Sequence, residues 1–156
     1  MSNFRLIGLD PQPFVSLFDL DDAALRARGV RLRVADADHG YPCRISLADA
    51  AAGEELLLLS YEHLAEDSPY RAAGPIYVRR DAQPRTLAPG EVPPYVSDRQ
   101  ISLRGYSARH LMVDAQVCEG LDVAARIEAM FADPKIAYIH LHNARPGCYS
   151  CRAERA

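Results

Sequence analysis

The chain has no long hydrophobic run. Apolar stretches such as Leu56 to Leu59 stop far short of the roughly 20 residues that a membrane span needs. No basic leader followed by an apolar segment opens the sequence, which predicts a cytoplasmic protein. Lysine is almost missing: Lys135 is the only one, and every other basic side chain apart from histidine is arginine. With a net charge of −3, no overall basic surface calls for nucleic acid or an anionic membrane as partner. There is no glycine-rich phosphate loop, no Gly-x-Ser-x-Gly elbow, no internal repeat and no low-complexity tract. The sequence therefore offers no ground for P-loop nucleotide chemistry, an α/β-hydrolase or a solenoid.

Cysteine is also scarce, with four in 156 residues. A chain of this length buries roughly 68–70 % of its unfolded surface and needs no disulfide staples. In a reducing compartment, few cysteines favour metal or catalytic use over structural bridges.

Three of the candidate ligands or nucleophiles gather near the C-terminus with a fourth: His140, His142, Cys148 and Cys151 fall within twelve positions. Residues 136–142 read as a strand, short, β-branched and aromatic, preceded by Asp133-Pro134. Side chains alternate across a strand, so Tyr138, His140 and His142 share one face and Ala137, Ile139 and Leu141 the other. Histidines at i and i+2 stand roughly 6–7 Å apart at their bases, close enough to converge on one ion. Pro146-Gly147 suits a turn, which would carry Cys148 and Cys151 back toward the histidine face. Two neutral imidazoles and two thiolates make a tetrahedral zinc site. The order departs from that of zinc fingers, and Arg152 stands where many zinc knuckles have glycine. A thioredoxin-type reading lacks its helix, because only five residues follow Cys151.

Taken in order, residues 4–20 contain a short strand and a turn. Residues 21–29 form a short helix, acidic at its start, basic at its end and closed by Gly29. Residues 30–34 alternate as a half-exposed strand. Pro42-Cys43-Arg44 offers a third thiol beside a positive charge. Residues 54–63 form the best central strand, with His63 as a further ligand for the C-terminal site. The loop at 67–75 holds Tyr70 and Arg71, and the arginine fork suits a planar anion. Pro84, Pro89, Pro93 and Pro94 punctuate residues 81–99, which read as a lid or interaction loop. Two strands follow, at 101–106 and 110–118. In the second, Leu111, Val113, Ala115 and Val117 are expected to face the core, with Asp114 opposite as a base, ligand or histidine orienter. Residues 122–132 form the clearest helix, with Asp122 as N-cap and Val123, Ile127, Met130 and Phe131 as an apolar stripe.

Several stretches resemble one bacterial family. They are Gly-Tyr-Pro-Cys-Arg at 40–44, Leu-Leu-Leu-Ser-Tyr-Glu-His at 57–63 and Ser-Pro-Tyr-Arg…Gly-Pro-Ile-Tyr-Val at 68–78. Met-Val-Asp at 112–114 and Tyr-Ile-His-Leu-His-Asn-Ala-Arg-Pro-Gly-Cys-Tyr-Ser-Cys at 138–151 complete the match. The family is catalogued as domain of unknown function 1203. The resemblance implies a bacterial stand-alone domain of about this length and supplies no activity or catalytic residue.

These readings predict a single α+β domain over residues 1–156. A largely antiparallel sheet of five to seven strands would carry one long helix, about 122–132, and one or two short ones. Three uses of the chemistry stay open. The leading one is a zinc site on His140, His142, Cys148, Cys151 and His63, hydrolytic if one ligand position stays open. The second is a thiol enzyme on Cys148, Cys151 or Cys43, with Asp114 or a histidine in support. The third is a small anionic ligand read by Arg44, Arg71, Tyr70 and Arg145. The sequence leaves the oligomeric state open.

Overall fold

A computed structural model describes residues 2–156 and resolves them into two five-stranded sheets. Strand β1 (Phe4–Ile7) opens the chain. Two short helices, α1 (Gln12–Val15) and α2 (Asp22–Ala27), lead to β2 (Arg31–Val34). Two-residue strands β3 (Pro42–Cys43) and β4 (Ala48–Asp49) precede the long β5 (Glu55–Leu64) and β6 (Ala72–Arg79). After the proline-rich segment come α3 (Pro94–Ser97), β7 (Gln100–Tyr106), β8 (Met112–Glu119) and α4 (Val123–Met130). Strands β9 (Tyr138–Asn143) and β10 (Tyr149–Arg155) finish the chain.

The first sheet runs β1-β10-β9-β7-β8 and is antiparallel throughout. The second runs β2-β5-β6-β3-β4 and contains one parallel pair, β3 with β6. The expected single sheet is thus two sheets. The expected long helix is eight residues, because a 3₁₀ turn at Gly120–Asp122 occupies its predicted start. Asp122 makes no side-chain cap. By contrast Asp21 caps α2 through the Ala24 N–H at 2.8 Å, and Gly29 follows with φ +73°.

The predicted stripe on α4 holds: Val123, Ile127, Met130 and Phe131 are all buried. They cover one face of the first sheet, packing on Ile101, Leu103, Ile139, Leu141 and Ala153. Arg155, from the last strand, donates to the carbonyls of Phe131, Asp133 and Ile136 and so ties that strand to the helix C-cap and the loop after it. The proline-rich segment lies against this core through Leu87, Tyr95 and Val96. Strand β8 faces opposite to expectation. Cys118 shares the helix-side face with Ile101, while Val113 and Val117 are 37 % and 62 % exposed. As an edge strand, β8 presents its apolar row on a half of the sheet that the second sheet leaves uncovered.

The second sheet builds its own core from Leu57, Leu59, Ile76 and Val78, closed by Phe14 of α1 and Leu25 of α2. Tyr149 of the first sheet enters this cluster and joins the two sheets. No helix among the described residues is long and apolar enough to cross a membrane.

Candidate functional site

Register sets the chemistry of the first sheet's other face. On β9, Tyr138, His140 and His142 point away from the helix-side core, as alternation predicts. Across β7 they stand opposite Tyr106, Arg104 and Ser102 respectively. Across β10, His142 faces Tyr149 and His140 faces Arg152. His63, at the end of β5, reaches over from the second sheet. Its ring centroid lies 4.9 Å from that of His142 and 6.0 Å from that of His140, and it stacks on Tyr149 at 5.5 Å. The His140 and His142 centroids are 6.4 Å apart. The structure therefore brings together three of the five metal candidates, one of them from seventy-seven positions upstream.

These imidazoles are neutral. Burial pushes His140 down to about 3, helped by His142 and His63 beside it. Burial likewise takes His142 to about 4, against a hydrogen bond to Gly147 that favours its charged form. His63 is lowered by burial and by Arg104. His142 Nδ1 lies 3.0 Å from the Gly147 carbonyl, so it carries the proton and Nε2 keeps the lone pair. That Nε2, with Nδ1 of His63 and Nδ1 of His140, is buried without a hydrogen-bond partner in the protein.

The two C-terminal cysteines lie elsewhere. Gly147 adopts φ +81° and the Asn143–Cys148 turn closes as a hairpin, with Gly147 N–H donating to Asn143 O at 2.8 Å. The return strand is not regular: a bulge between Tyr149 and Cys151 leaves Ser150 without a paired partner. In an unbroken ladder Cys151 would oppose His140. The extra residue shifts it to Leu141, on the helix-side core face, and puts Arg152 opposite His140. Cys151 is fully buried there, and burial pushes its thiol up to about 12. Such a thiol is neither a nucleophile nor a ready ligand at neutral pH. Cys43 is also fully buried, its Sγ accepting the Arg79 N–H at 3.3 Å. Asp114, on the helix-side face of β8, accepts from Gln116 Nε2 at 3.1 Å and lies across the sheet from the histidines.

Cys148 lines a separate cleft of about 890 Å³, within the usual range for small-molecule sites. Its walls come from the 143–148 hairpin, from Asp98–Gln100 and from the second sheet around Pro42, Arg44, Leu58 and Tyr77. Leu58 and Tyr77 are paired and point to the opposite side of β5 and β6 from His63, so cleft and histidines are distinct. At the cleft, Arg44 is 1 % exposed. Its guanidinium donates to Tyr149 O at 2.8 Å, Pro42 O at 2.6 Å and Cys148 Sγ at 3.1 Å. Among the described residues no carboxylate pairs with it. Arg99, the neighbouring cation, is matched by both oxygens of Asp49 at 3.0 and 2.9 Å. Asn143 sends Nδ2 toward Cys148 Sγ at 3.7 Å, and its Oδ1 is buried without a partner. Exposed Arg145 lies at the rim.

Of the predicted anion-reading set, Arg44 and Arg145 thus share a cleft. Tyr70 and Arg71 do not join them: Tyr70 packs edge-on to Tyr106, and Arg71 pairs with Glu62 at 2.6 Å in solvent. Sequence reasoning missed Arg99, Arg104, Arg152 and Tyr149. The first three look like solvated arginines in the sequence. Strand register places Arg104 and Arg152 beside the histidines, and Arg99, just ahead of β7, lines the cleft.

The chain belongs to the family described as protein of unknown function (DUF1203), whose model matches residues 40–155. No curated protein and no solved structure matches it.

Proposed function

We propose that this protein binds a small anionic ligand, a carboxylate or phosphate ester, in the cleft floored by Arg44. One observation carries the reading: a buried guanidinium lines a ligand-sized cleft and, among the described residues, has no carboxylate within 4.0 Å, the cleft's own acids Asp98 and Glu119 leaving it unpaired. Arginine does not deprotonate in proteins, so a buried one keeps its charge and its need for a counter-ion. Leaving such a charge unpaired costs several kcal/mol, on the order of the whole stability margin of a domain. An anion seated against Arg44 recovers that cost. Arg145 adds charge at the rim, and Asn143 Oδ1 accepts a hydrogen bond from an N–H or O–H of the ligand.

Thermal unfolding in inorganic phosphate or citrate, against chloride at equal ionic strength, tests this. The melting temperature is expected to rise with anion concentration in the parent and in Cys148→Ser, less in Arg145→Ala, and not in Arg44→Gln. Equal rises in the parent and Arg44→Gln would mean general salt stabilisation and no site.

A second reading is favoured by Cys148 itself. It is the one half-buried thiol of the four, and two N–H groups aim at its sulfur. As a nucleophile it would act on the ligand that Arg44 holds. Iodoacetamide should then label Cys148 before the other cysteines in folded protein, and phosphate should protect it.

A further inference from the structure

The geometry points to a transition-metal site on His63, His140 and His142, independent of the cleft and of every cysteine. Three features support it. First, each ring has a buried nitrogen with no protein partner. Such orphans are uncommon in folded proteins, and three in one cluster ask for a shared occupant. Second, the one ring whose tautomer is fixed is fixed as metal ligands usually are. His142 donates from one nitrogen to a backbone carbonyl and leaves the other as a buried lone pair without a partner. Third, the spacing is close to what an ion imposes. Bonds of about 2.0–2.1 Å from a tetrahedral zinc to three imidazoles place the ring centroids roughly 5 Å apart. The His63–His142 pair, at 4.9 Å, already meets this.

His140 is the ring that must move. Its centroid lies 6.0 and 6.4 Å from the other two, and among the described residues no three donors already close on one point. Its centroid has to approach the other two by about 1 Å, with its Nδ1 turned toward them, to meet that spacing. The rings are closed in, with His140 and His142 3 % and 1 % exposed, and Leu64, Tyr106 and Tyr138 form a buried cluster next to them. Neutral nitrogen donors select borderline divalent ions, Zn²⁺ or Co²⁺ over Mg²⁺ or Ca²⁺.

Charge shapes what accompanies the ion. Arg104 and Arg152 stand opposite His140 on the neighbouring strands. Two guanidiniums oppose a bare cation and favour an ion that brings an anion on its open coordination position. Phosphate or carbonate present with the metal should therefore raise the apparent affinity.

The test titrates Co²⁺ into chelator-treated protein and follows the d–d absorption of the bound ion. One equivalent should bind in the parent and equally in the Cys148→Ser/Cys151→Ser variant. His63→Gln and His140→Gln should each weaken it by more than about a hundredfold, the most that loss of a supporting hydrogen bond alone produces. Binding that these substitutions leave unchanged, or that the cysteine variant loses, would overturn the site. X-ray absorption on the zinc-loaded parent keeps the test decisive if a histidine variant does not fold. Three imidazoles and no sulfur are expected, and a Zn–S shell near 2.3 Å refutes the assignment. Absence of stoichiometric binding of either ion refutes it as well. The anion cleft is untouched by any of these outcomes, since it contains none of the three histidines.

Discussion

At the scale of single residues, environment decides chemistry more than identity does. Cys148 and Cys151 are three positions apart, yet one lines a cleft against a guanidinium and the other is sealed in a hydrocarbon core. The histidines show the same principle as a pH dependence. In an unfolded chain both His140 and His142 take up a proton near pH 6.5. Folded, they resist it until about 3 and 4. Between those limits the unfolded state binds more protons, so stability is complete above about pH 6.5 and is lost as the pH falls toward 4. The loss is on the order of a few kcal/mol. His140 is faced by His142, His63, Arg104 and Arg152, all of which oppose its charging, and by the rings of Tyr106, Tyr138 and Tyr149. In chelator-treated protein, the melting temperature of the parent should fall more steeply between pH 6.5 and 5 than that of His140→Gln. Parallel curves would show that the folded imidazole titrates normally.

At the scale of elements, short irregularities carry the consequences. The Pro146-Gly147 turn is legible in the sequence because proline and glycine each solve a backbone problem there. The bulge after it is not legible, because nothing in Tyr-Ser-Cys-Arg says that one residue will be skipped. That single skip separates Cys151 from the histidines and puts an arginine beside them. The turn before α4 behaves likewise. Gly120 is packed so closely on α3 that an added Cβ would meet the carbonyl oxygens of Val96, Ser97 and Arg99. These are backbone atoms and cannot swing aside. Gly120→Ala should therefore cost about 1–3 kcal/mol, as overpacking does. A urea midpoint unchanged from the parent would mean that α3 moves freely.

At the scale of the whole molecule, two sheets with separate cores are held together in part by one side chain. Tyr149 belongs to the first sheet and packs in the core of the second, stacked on His63 and in edge contact with His140 and His142. Removing it should loosen both the join and the histidine cluster. Tyr149→Ala is expected to cost about 3–5 kcal/mol, the usual penalty for deleting a buried aromatic. Loss of under about 1 kcal/mol by urea denaturation would place the join elsewhere.

Local order was largely readable from the sequence. Period-two alternation marks β2 and β9, the apolar run marks β5, the charge-biased ends and closing glycine mark α2, and the apolar stripe marks α4. Each of these signals depends on neighbours a few residues away, and steric preference and solvent exclusion act at that range. Strand β8 marks the limit, since its alternation was visible but its inward face was not. Which face is buried depends on what lies across it, and no sheet covers that half. The division into two sheets, the pairing of β10 with β1 and β9, and the convergence of His63 on His140 and His142 are matters of long-range contact. So is the cleft, where Arg44 meets a sulfur 104 positions away. By itself the sequence determined the elements, the turn chemistry and the stock of imidazoles, thiols and guanidiniums. The tertiary structure alone decided which of them meet, because register and burial are properties of the packed whole.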